Sequence, residues 1–314
     1  MDLSISVLLT NLVSLFFLMG IGFVAAKLNM VPDTVTGPIT AVLLRVALPA
    51  LIFSAAVKPI DGSFLRDGFQ LLCIGTVAHT AYAVISWFLS GLLRVPDDRR
   101  GMWTVCCTFS NNGFMGYPIL AALFGDKGVS FNVLLSIPWN LFVFSVGPRL
   151  VVRDNVEKRA DLPPVSITGC LFNPCNYALI AGFTCSFLKL PLPECILTPI
   201  DMLGDVTTPL SMFVIGMTLA KGNIMEVIRD RDAWTASLNR LLVLPLLTWL
   251  VLRMLPIANP MVMGVVFLVM SMPAPTIGSI LAEQYGGNTV LASRTVFLSS
   301  LLCIITLPLL MLLL

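Results

Sequence analysis

The sequence predicts an all-α integral membrane protein with ten transmembrane helices in a five-plus-five inverted repeat. Of its 314 residues, 57% are hydrophobic and only 11% are charged, whereas charged residues make up roughly a quarter of a soluble domain. Apolar segments long enough to cross a bilayer, which takes about 20 residues, recur along the whole chain. Two of these segments are interrupted by polar residues, glycine and proline, and the functional interpretation starts from those interruptions.

Ten apolar segments are separated by short polar loops with turn-forming residues, such as Pro32-Asp33 and Pro96-Asp97-Asp98. The predicted spans are residues 4–26, 38–57, 67–93, 101–123, 128–150, 166–188, 198–220, 233–254, 260–282 and 289–313. The loops between them are too short to hold an inserted soluble domain.

Lysine and arginine residues are distributed unequally over the loops. With the N-terminus placed outside, eleven of them fall in inner loops and five in outer loops. The positive-inside rule therefore predicts both termini on the non-cytosolic side of the cell membrane, plasma or inner, and a cytosolic connection at 150–165. Arg45, Arg240 and Arg294 lie within spans or at their edges and are left out of this count.

Two short patterns return in the second half of the chain at nearly the same offset. Residues 119–125 read ILAALFG and residues 280–286 read ILAEQYG, an offset of 161, while the pattern P-x-x-x-F at Pro49 returns at Pro209, an offset of 160. Because each half holds five spans, an odd number, the second half enters the membrane from the opposite side, as in many secondary transporters. The predicted domains are a first repeat at 1–155, a cytosolic linker at 156–165 and a second, inverted repeat at 166–314.

Spans four and nine are each interrupted at the same place in their repeats. The first interruption, 108–118, reads TFSNNGFMGYP, and the second, 272–278, reads MPAPTIG. Glycine and proline weaken a helix, and the backbone groups they free are tolerated at membrane depth only where protein buries them or they line a watery cavity. The candidate substrate-binding residues are therefore Asn111, Asn112, Gly113, Gly116, Pro118, Pro273, Ala274, Pro275, Thr276 and Gly278. A kink that serves only helix packing is the alternative.

The interruptions favour an anionic solute. A half-helix that begins inside the membrane presents free backbone amides and the positive end of its dipole, and both favour an anion. Asn111 and Asn112 add neutral hydrogen-bond donors. We expect the two interruptions to lie beside each other and to hold a small solute such as a carboxylate.

Five further residues are candidates for the pathway or for ion coupling. They are Asp205, Thr207, Thr208, Asn140 and Arg45. Asp205 and the threonines would supply oxygen ligands to sodium, although Asp205 would serve equally well as an interfacial carboxylate. Arg45 either attracts anions or extends to the cytosolic interface. Span five contains no carboxylate, which argues against simple proton antiport, and the sequence leaves sodium and proton coupling open.

Other kinds of chemistry have little support. The eight cysteines include no CxxC pair, and His79 is the one histidine; no motif of a metalloprotease, serine hydrolase or nucleotide-binding loop occurs. We predict no enzyme activity, no metal or other cofactor and no nucleic-acid partner. His79 is interpreted as a packing residue, with a proton relay as the alternative, and Arg294 is expected to pair with Glu283.

Five motifs in a fixed order indicate a family relationship. In chain order they are PDTVTG at 32–37, ALPALIF at 47–53, Asn112 followed by MGYPIL at 115–120, Asp205 followed by MFVIG at 212–216, and AEQY at 282–285. With these motifs the chain resembles the auxin efflux carrier family, which includes plant PIN carriers and short bacterial carriers of malonate-like acids. It departs from the plant carriers at Gly278, where they have proline, and it lacks their long cytosolic loop.

The resemblance implies the fold shared by bile-acid symporters and sodium–proton antiporters, in which spans four and nine cross at their interruptions. It implies a scaffold domain from spans 1, 2, 6 and 7, a transport domain from spans 3–5 and 8–10, and alternating access at the crossing. The implied substrate is a small organic anion, malonate-like or auxin-like, and membrane lipids and a second copy of the chain are the other implied partners. A sodium-coupled bile-acid-like symporter and a non-transporting membrane sensor are the alternatives.

Overall fold

The chain is built from helices throughout the part that the structure describes. The structure is a computed structural model, and it describes residues 5–58, 62–154, 174–220, 224–257 and 259–314, in which no β-strand occurs. The helices are α1 Ile5–Lys27, α2 Thr36–Val42, α3 Leu48–Ala56, α4 Gly62–Leu92, α5 Asp97–Thr108, α6 Tyr117–Arg153, α7 Pro174–Phe187, α8 Glu194–Asp205, α9 Thr207–Ala220, α10 Ile224–Arg229, α11 Arg231–Leu238, α12 Leu244–Met254, α13 Pro260–Met270, α14 Ile277–Gln284 and α15 Thr289–Met311. The predicted all-α class is confirmed for these residues.

Wide turns of π-helix connect or precede several of these helices. They span Leu43–Ala47 between α2 and α3, Asn112–Gly116 before α6, and Asn239–Val243 between α11 and α12. Helix α6 bends at Gly125, whose φ of 60° and ψ of −153° lie outside the helical region. A residue with a side chain rarely adopts this φ, so glycine allows the bend at low cost.

Six helical segments of the described chain are long and apolar enough to cross a membrane. They are Thr36–Ala56, Arg66–Leu92, Asp97–Arg153, Glu194–Ala220, Arg231–Met254 and Thr289–Met311. Val13–Lys27 and Pro260–Met270 are shorter apolar helices. The chain is therefore a multi-pass membrane protein, while ten crossings and the inverted repeat stay predictions.

Close packing divides the chain into two compact units. The first unit comprises Met1–Leu71, Gly113–Leu134 and Leu171–Lys221, and the second comprises Leu72–Asn112, Leu135–Cys170 and Gly222–Leu314. The predicted scaffold and transport domains and the two repeats stay predictions. The predicted linker at 156–165 lies outside the described residues.

In the first unit, α1 and α9 pack with their backbones in direct contact. A Cβ atom on Gly22 would lie 2.2 Å from the Phe213 carbonyl oxygen, and one on Gly216 would lie 2.0 Å from the Met19 carbonyl oxygen. Small residues allow this approach, which is a common way for membrane helices to gain contact area. The glycine of the MFVIG motif is thus a packing residue in this structure.

An apolar core joins α3, the first part of α6 and α7 in the same unit. It contains Leu48, Ile52, Tyr117, Val129 and Leu179, all less than a tenth exposed. One polar contact supports it, because the Ser130 hydroxyl donates to the carbonyl of Ala55, 2.9 Å away.

In the second unit, a cluster of charged residues ties the start of α5 to α10, α11 and α15. The buried carboxylate of Asp230 accepts hydrogen bonds from Arg99 at 2.9 Å and from Arg294 at 3.0 Å, and Arg294 also pairs with Glu226 at 2.7 Å. Burial by itself would raise the pKa of Asp230, but the bonds from the two arginines outweigh burial and hold that pKa below its ordinary value. The expected pairing of Arg294 with Glu283 is wrong, because Asp230 and Glu226 are the acids that reach its guanidinium.

A second carboxylate, that of Asp154, ties the end of α6 to α5. Its oxygens accept hydrogen bonds from the backbone amides of Gly101, at 2.6 Å, and Met102, at 2.8 Å. Burial raises the pKa of Asp154 to about 6, and these two hydrogen bonds only partly oppose that effect.

We expect Gly22→Ala to destabilise the protein and Gly20→Ala to leave it unchanged or slightly more stable. Both changes improve helix propensity equally, by about 1 kcal/mol. A Cβ on Gly22 would clash with backbone at a typical overpacking cost of about 1–3 kcal/mol, whereas one on Gly20 meets nothing within 4 Å. Thermal unfolding of the two purified variants tests this, and equal shifts in Tm would contradict the packing argument.

We expect acidification to stabilise the protein through Asp154. Its pKa is about 6 in the folded chain against an ordinary 3.8, so the folded state binds this proton more tightly than the unfolded state. The resulting stabilisation is complete below about pH 4 and is lost as the pH rises through 6. The difference in Tm between pH 5.0 and pH 7.5 should therefore shrink in Asp154→Asn; an unchanged difference would refute the assignment.

Candidate functional site

Two helix interruptions, at 109–112 and 271–276, belong to the second unit. Helix α5 ends at Thr108, the backbone is extended at Phe109, and the π-turn begins at Asn112. Helix α13 ends at Met270, and helical structure resumes only at Ile277. Short polar side chains compete with helical hydrogen bonds in the first interruption, and the prolines of the second cannot donate them.

The structure brings the two interruptions into contact. The backbone amide of Asn111 donates to the carbonyl of Pro273 at 2.8 Å, and its side-chain amide donates to the Thr276 hydroxyl at 3.3 Å. The backbone amide of Ala274 donates to the Ser299 hydroxyl of α15 at 3.0 Å. Four of the residues chosen from the sequence, Asn111, Pro273, Ala274 and Thr276, thus lie together.

One fully buried arginine, Arg240, holds the ends of both broken helices. Its guanidinium donates to the carbonyls of Cys107, at 3.1 Å, and Thr108, at 3.4 Å, which are the last residues of α5. It also donates to Met270, at 3.0 Å, and Met272, at 2.8 Å, at the end of α13. The last carbonyls of a helix have no partner within the helix and carry partial negative charge, so one cation stabilises both ends.

Arg240 has no carboxylate partner in the described chain. None of the ion pairs there includes it, and its other neighbour is the Tyr82 ring, with the guanidinium carbon 5.4 Å from the ring centroid. The hydroxyl of Tyr82 is itself fixed by a hydrogen bond with Thr248. Backbone dipoles and one aromatic face, not an acid, therefore offset this buried charge.

Buried polar atoms without a partner concentrate beside the first interruption. The Thr108 hydroxyl, the Ser110 hydroxyl and the Asn112 side-chain carbonyl have no hydrogen-bond partner among the described residues. The Asn112 side-chain amide is used, because it donates to Ser136 at 2.7 Å. Buried polar atoms are normally paired, so three unpaired ones within five residues mark a place suited to a polar solute.

Aromatic rings border this polar patch. The Phe109 ring stacks on His79 at 6.3 Å and meets Trp139 edge-on at 6.4 Å, measured between centroids. The indole of Trp139 donates to the Ser110 carbonyl at 3.1 Å. His79 is buried, with Nδ1 2.6 Å from the Gly75 carbonyl and no partner for Nε2 in the part of the chain that the structure describes, so its position is compatible with packing and with a proton relay.

The remaining predicted site residues are spread over both units. In the second unit, Pro275 and Gly278 are buried and Asn140 is half-buried. A Cβ on Gly278 would lie 3.2 Å from the Met102 methyl group, so the glycine that replaces the proline of the plant carriers fits closely. The other seven predicted site residues belong to the first unit, namely Gly113, Gly116, Pro118, Asp205, Thr207, Thr208 and Arg45.

Exposure differs among the candidates of the first unit. Gly116 and Pro118 are buried and Gly113 is half-buried. Asp205 is exposed at the end of α8, Thr208 is half-buried, and Thr207 is buried with no partner for its hydroxyl among the described residues. Arg45 is exposed in its π-turn, as expected for a side chain that extends toward an interface.

Arg240 is the residue of this site that the sequence analysis did not select. The available signal was an arginine within the apolar segment Arg231–Met254, since a charge at membrane depth is costly without partners. What the sequence could not supply was the identity of those partners, which are backbone carbonyls at least 30 positions away in either direction.

Comparison with known proteins gives one family across the chain. The profile of a family described as "Membrane transport protein" matches residues 7–311. A protein of Rhizobium meliloti named "Putative malonate transporter" is 25% identical over 303 residues, which cover 95% of this chain and 93% of that protein. An "Uncharacterized transporter" of Methanothermobacter thermautotrophicus is 24% identical over 95% of this chain and 96% of that protein.

A longer mouse protein is also similar. The "Lysosomal cholesterol signaling protein" of Mus musculus is 24% identical over 266 residues, which are 78% of this chain but only 30% of the mouse protein. The similarity therefore concerns one part of a larger molecule.

We expect Arg240→Met to destabilise the protein by more than about 3 kcal/mol, because it leaves four buried carbonyls without a donor at about 1–3 kcal/mol each. The stability of Arg240→Lys should lie between those of wild type and Arg240→Met, since an ammonium group cannot reproduce the planar set of guanidinium donors. The control is Arg253→Met on α12, an exposed arginine whose one hydrogen bond to a described residue goes to the carbonyl of Leu313. Thermal unfolding and the monodisperse fraction after purification are the measurements; similar losses in both Met variants would refute the role of Arg240.

Proposed function

Because this chain belongs to the membrane transport protein family, that of the auxin efflux carriers, we propose that it is a secondary transporter of small organic anions such as malonate-like or auxin-like carboxylates. The observation that carries the proposal is the contact between two broken helices at Asn111 and Pro273, beside unpaired buried hydroxyls at Thr108 and Ser110. A substrate site near the membrane midplane, formed by discontinuous helices, is the recurring arrangement of secondary transporters.

The chemistry of the site suits a weakly held carboxylate. The hydroxyls of Thr108 and Ser110 can donate to an anion, and the positive charge of Arg240 lies at the same interruption while its guanidinium already donates four hydrogen bonds to carbonyls. The anion would then be attracted by a nearby charge and would bind through neutral donors. Such binding is reversible, which a carrier needs in order to release its substrate on the other side.

The proposed transport cycle is alternating access with ten spans in an inverted repeat, spans four and nine crossing at the interruptions. In this scheme spans 3–5 and 8–10 move against a scaffold of spans 1, 2, 6 and 7, both termini face the non-cytosolic side, and the chain works in the cell membrane as a homodimer. The name of the Rhizobium meliloti relative supports a dicarboxylate as the first substrate to test.

Sodium coupling is a second candidate mechanism with an observation of its own. Thr207 is buried, its hydroxyl has no described partner, and it follows the carboxylate of Asp205 by two residues at the junction of α8 and α9. Oxygen ligands where a span is interrupted are typical of sodium sites in transporters. A non-transporting sensor is the third candidate, and it is motivated by the name of the mouse relative.

We expect Asn112→Ala to abolish uptake of malonate into sealed proteoliposomes while leaving the protein folded. Loss of the side chain removes both the Ser136 contact and the unpaired carbonyl at the interruption. Thr80→Ala is the control, since Thr80 is exposed on α4 and bonds only within its own helix. Unchanged uptake by Asn112→Ala would sink the site assignment, and saturable malonate binding without flux would favour the sensor.

Replacing sodium by choline in the same assay distinguishes a sodium-coupled carrier from one that does not use sodium. A sodium-coupled carrier would lose uptake in choline, and Thr207→Val, which keeps the shape but removes the hydroxyl, would raise the sodium concentration needed for half-maximal uptake. For a carrier that does not use sodium, both changes should leave the initial rate unaltered.

A further inference from the structure

A groove along α4 combines an apolar wall with an arginine at one end. It lies within the second unit and has a volume of about 640 Å³. Six of its seven lining residues are apolar or glycine, including Val84, Trp87, Phe88 and Leu92, and the seventh is Arg100. The malonate site proposed above uses none of these residues.

Two guanidinium groups lie over the indole of Trp87, and one of them, that of Arg100, lines the groove. The guanidinium carbon of Arg100 is 4.2 Å and that of Arg153 is 4.3 Å from the ring centroid. Two positive charges are therefore within 4.3 Å of one point on the groove wall. The electron-rich indole face stabilises both cations without neutralising them.

Arg100, on α5, is fixed by two hydrogen bonds to α4 and lies against a glycine of that helix. Its Nε donates to the Ser90 hydroxyl at 2.9 Å, and a terminal nitrogen donates to the Trp87 carbonyl at 3.3 Å. A Cβ on Gly91 would lie 2.9 Å from that guanidinium, so glycine leaves room for the approach. Three of the five N–H groups of Arg100 remain available to another acceptor.

Neither arginine of the groove has an acidic partner in the described chain. The neighbouring Arg99 pairs with Asp230 and Asp232, but Arg100 and Arg153 make no ion pair there. The nearest acid in sequence, Asp154, is held by the amides of Gly101 and Met102. Among the described residues, no carboxylate therefore forms an ion pair with Arg100 or Arg153.

The apolar wall continues away from the arginines along one stripe of α4. Val84, Phe88 and Leu92 recur every four residues and are 63%, 70% and 67% exposed. Residues at this spacing lie on one face of a helix, and in a membrane protein such a face meets acyl chains. The arginines are at the end of this stripe that the positive-inside rule assigns to the cytosol, where anionic lipids are enriched.

We propose that this groove binds one anionic phospholipid, whose phosphate meets Arg100 near the charge of Arg153 and whose acyl chain lies on Val84, Phe88 and Leu92. The free N–H groups of Arg100 suit the phosphate oxygens, which accept several hydrogen bonds at once, and the charge of Arg153 on the same indole adds attraction. Soluble phosphate would make no use of the apolar stripe, and a zwitterionic lipid would bring its own cation against the two arginines. The assignment does not depend on which solute the protein carries.

Lipid binding to the intact, purified chain tests the proposal by native mass spectrometry. The probes are phosphatidylglycerol and phosphatidylcholine with identical acyl chains, and we expect the first phosphatidylglycerol to bind at least about tenfold more tightly. Arg153→Gln, which breaks no described hydrogen bond, should weaken that binding about fivefold, and Arg100→Gln/Arg153→Gln about thirtyfold. Equal binding of the two lipids, or unchanged binding in both variants, overturns the proposal.

Two matched controls make the result specific. Arg253→Gln removes an arginine that also lies over an indole, that of Trp249 at 5.4 Å, but without a second guanidinium, and it should bind phosphatidylglycerol like wild type. Phe88→Ser should weaken binding severalfold, whereas Phe69→Ser, on the same helix and 71% exposed, should not. Displacement of the lipid by millimolar inorganic phosphate would overturn the choice of a lipid over a soluble anion.

Discussion

The contact on which the second unit depends is that between Arg240 and the carbonyl ends of two broken helices. A helix C-terminus carries about half a negative charge, so two of them together offer about one charge to the single cation between them. A buried guanidinium without partners would be prohibitively costly, and four buried carbonyls without donors would cost several kcal/mol. The guanidinium and the carbonyls therefore remove each other's desolvation penalty, and the interruptions can persist at membrane depth.

This arrangement also decides what the site offers to a solute. The guanidinium of Arg240 donates four hydrogen bonds to backbone carbonyls, and the unpaired polar atoms beside it are the neutral groups of Thr108, Ser110 and Asn112 in the described chain. A charge that attracts without binding directly, combined with neutral donors, gives moderate affinity. Moderate affinity suits a carrier better than a buried salt bridge, whose rupture would slow release.

Five arginines of the second unit lie in three environments with different consequences. Arg240 is offset by backbone dipoles, and it fixes the interruptions. Arg99 and Arg294 are offset by the carboxylates of Asp230 and its neighbours, and they fix helix ends to one another. Arg100 and Arg153 rest on an aromatic ring without an acid, which leaves their charge available to a partner from outside the chain.

The sequence by itself determined the membrane class, the positions of both interruptions and the family. Composition excludes a soluble protein, glycine, proline and asparagine break helices locally, and ordered motifs identify relatives, so none of these needs a third dimension. Only the tertiary structure decided that Asn111 meets Pro273, that Arg240 holds both helix ends and that Arg294 reaches Asp230 instead of Glu283. Such pairings depend on which helices become neighbours, and an apolar helix surface in a membrane carries little sequence signal for the partner against which it packs.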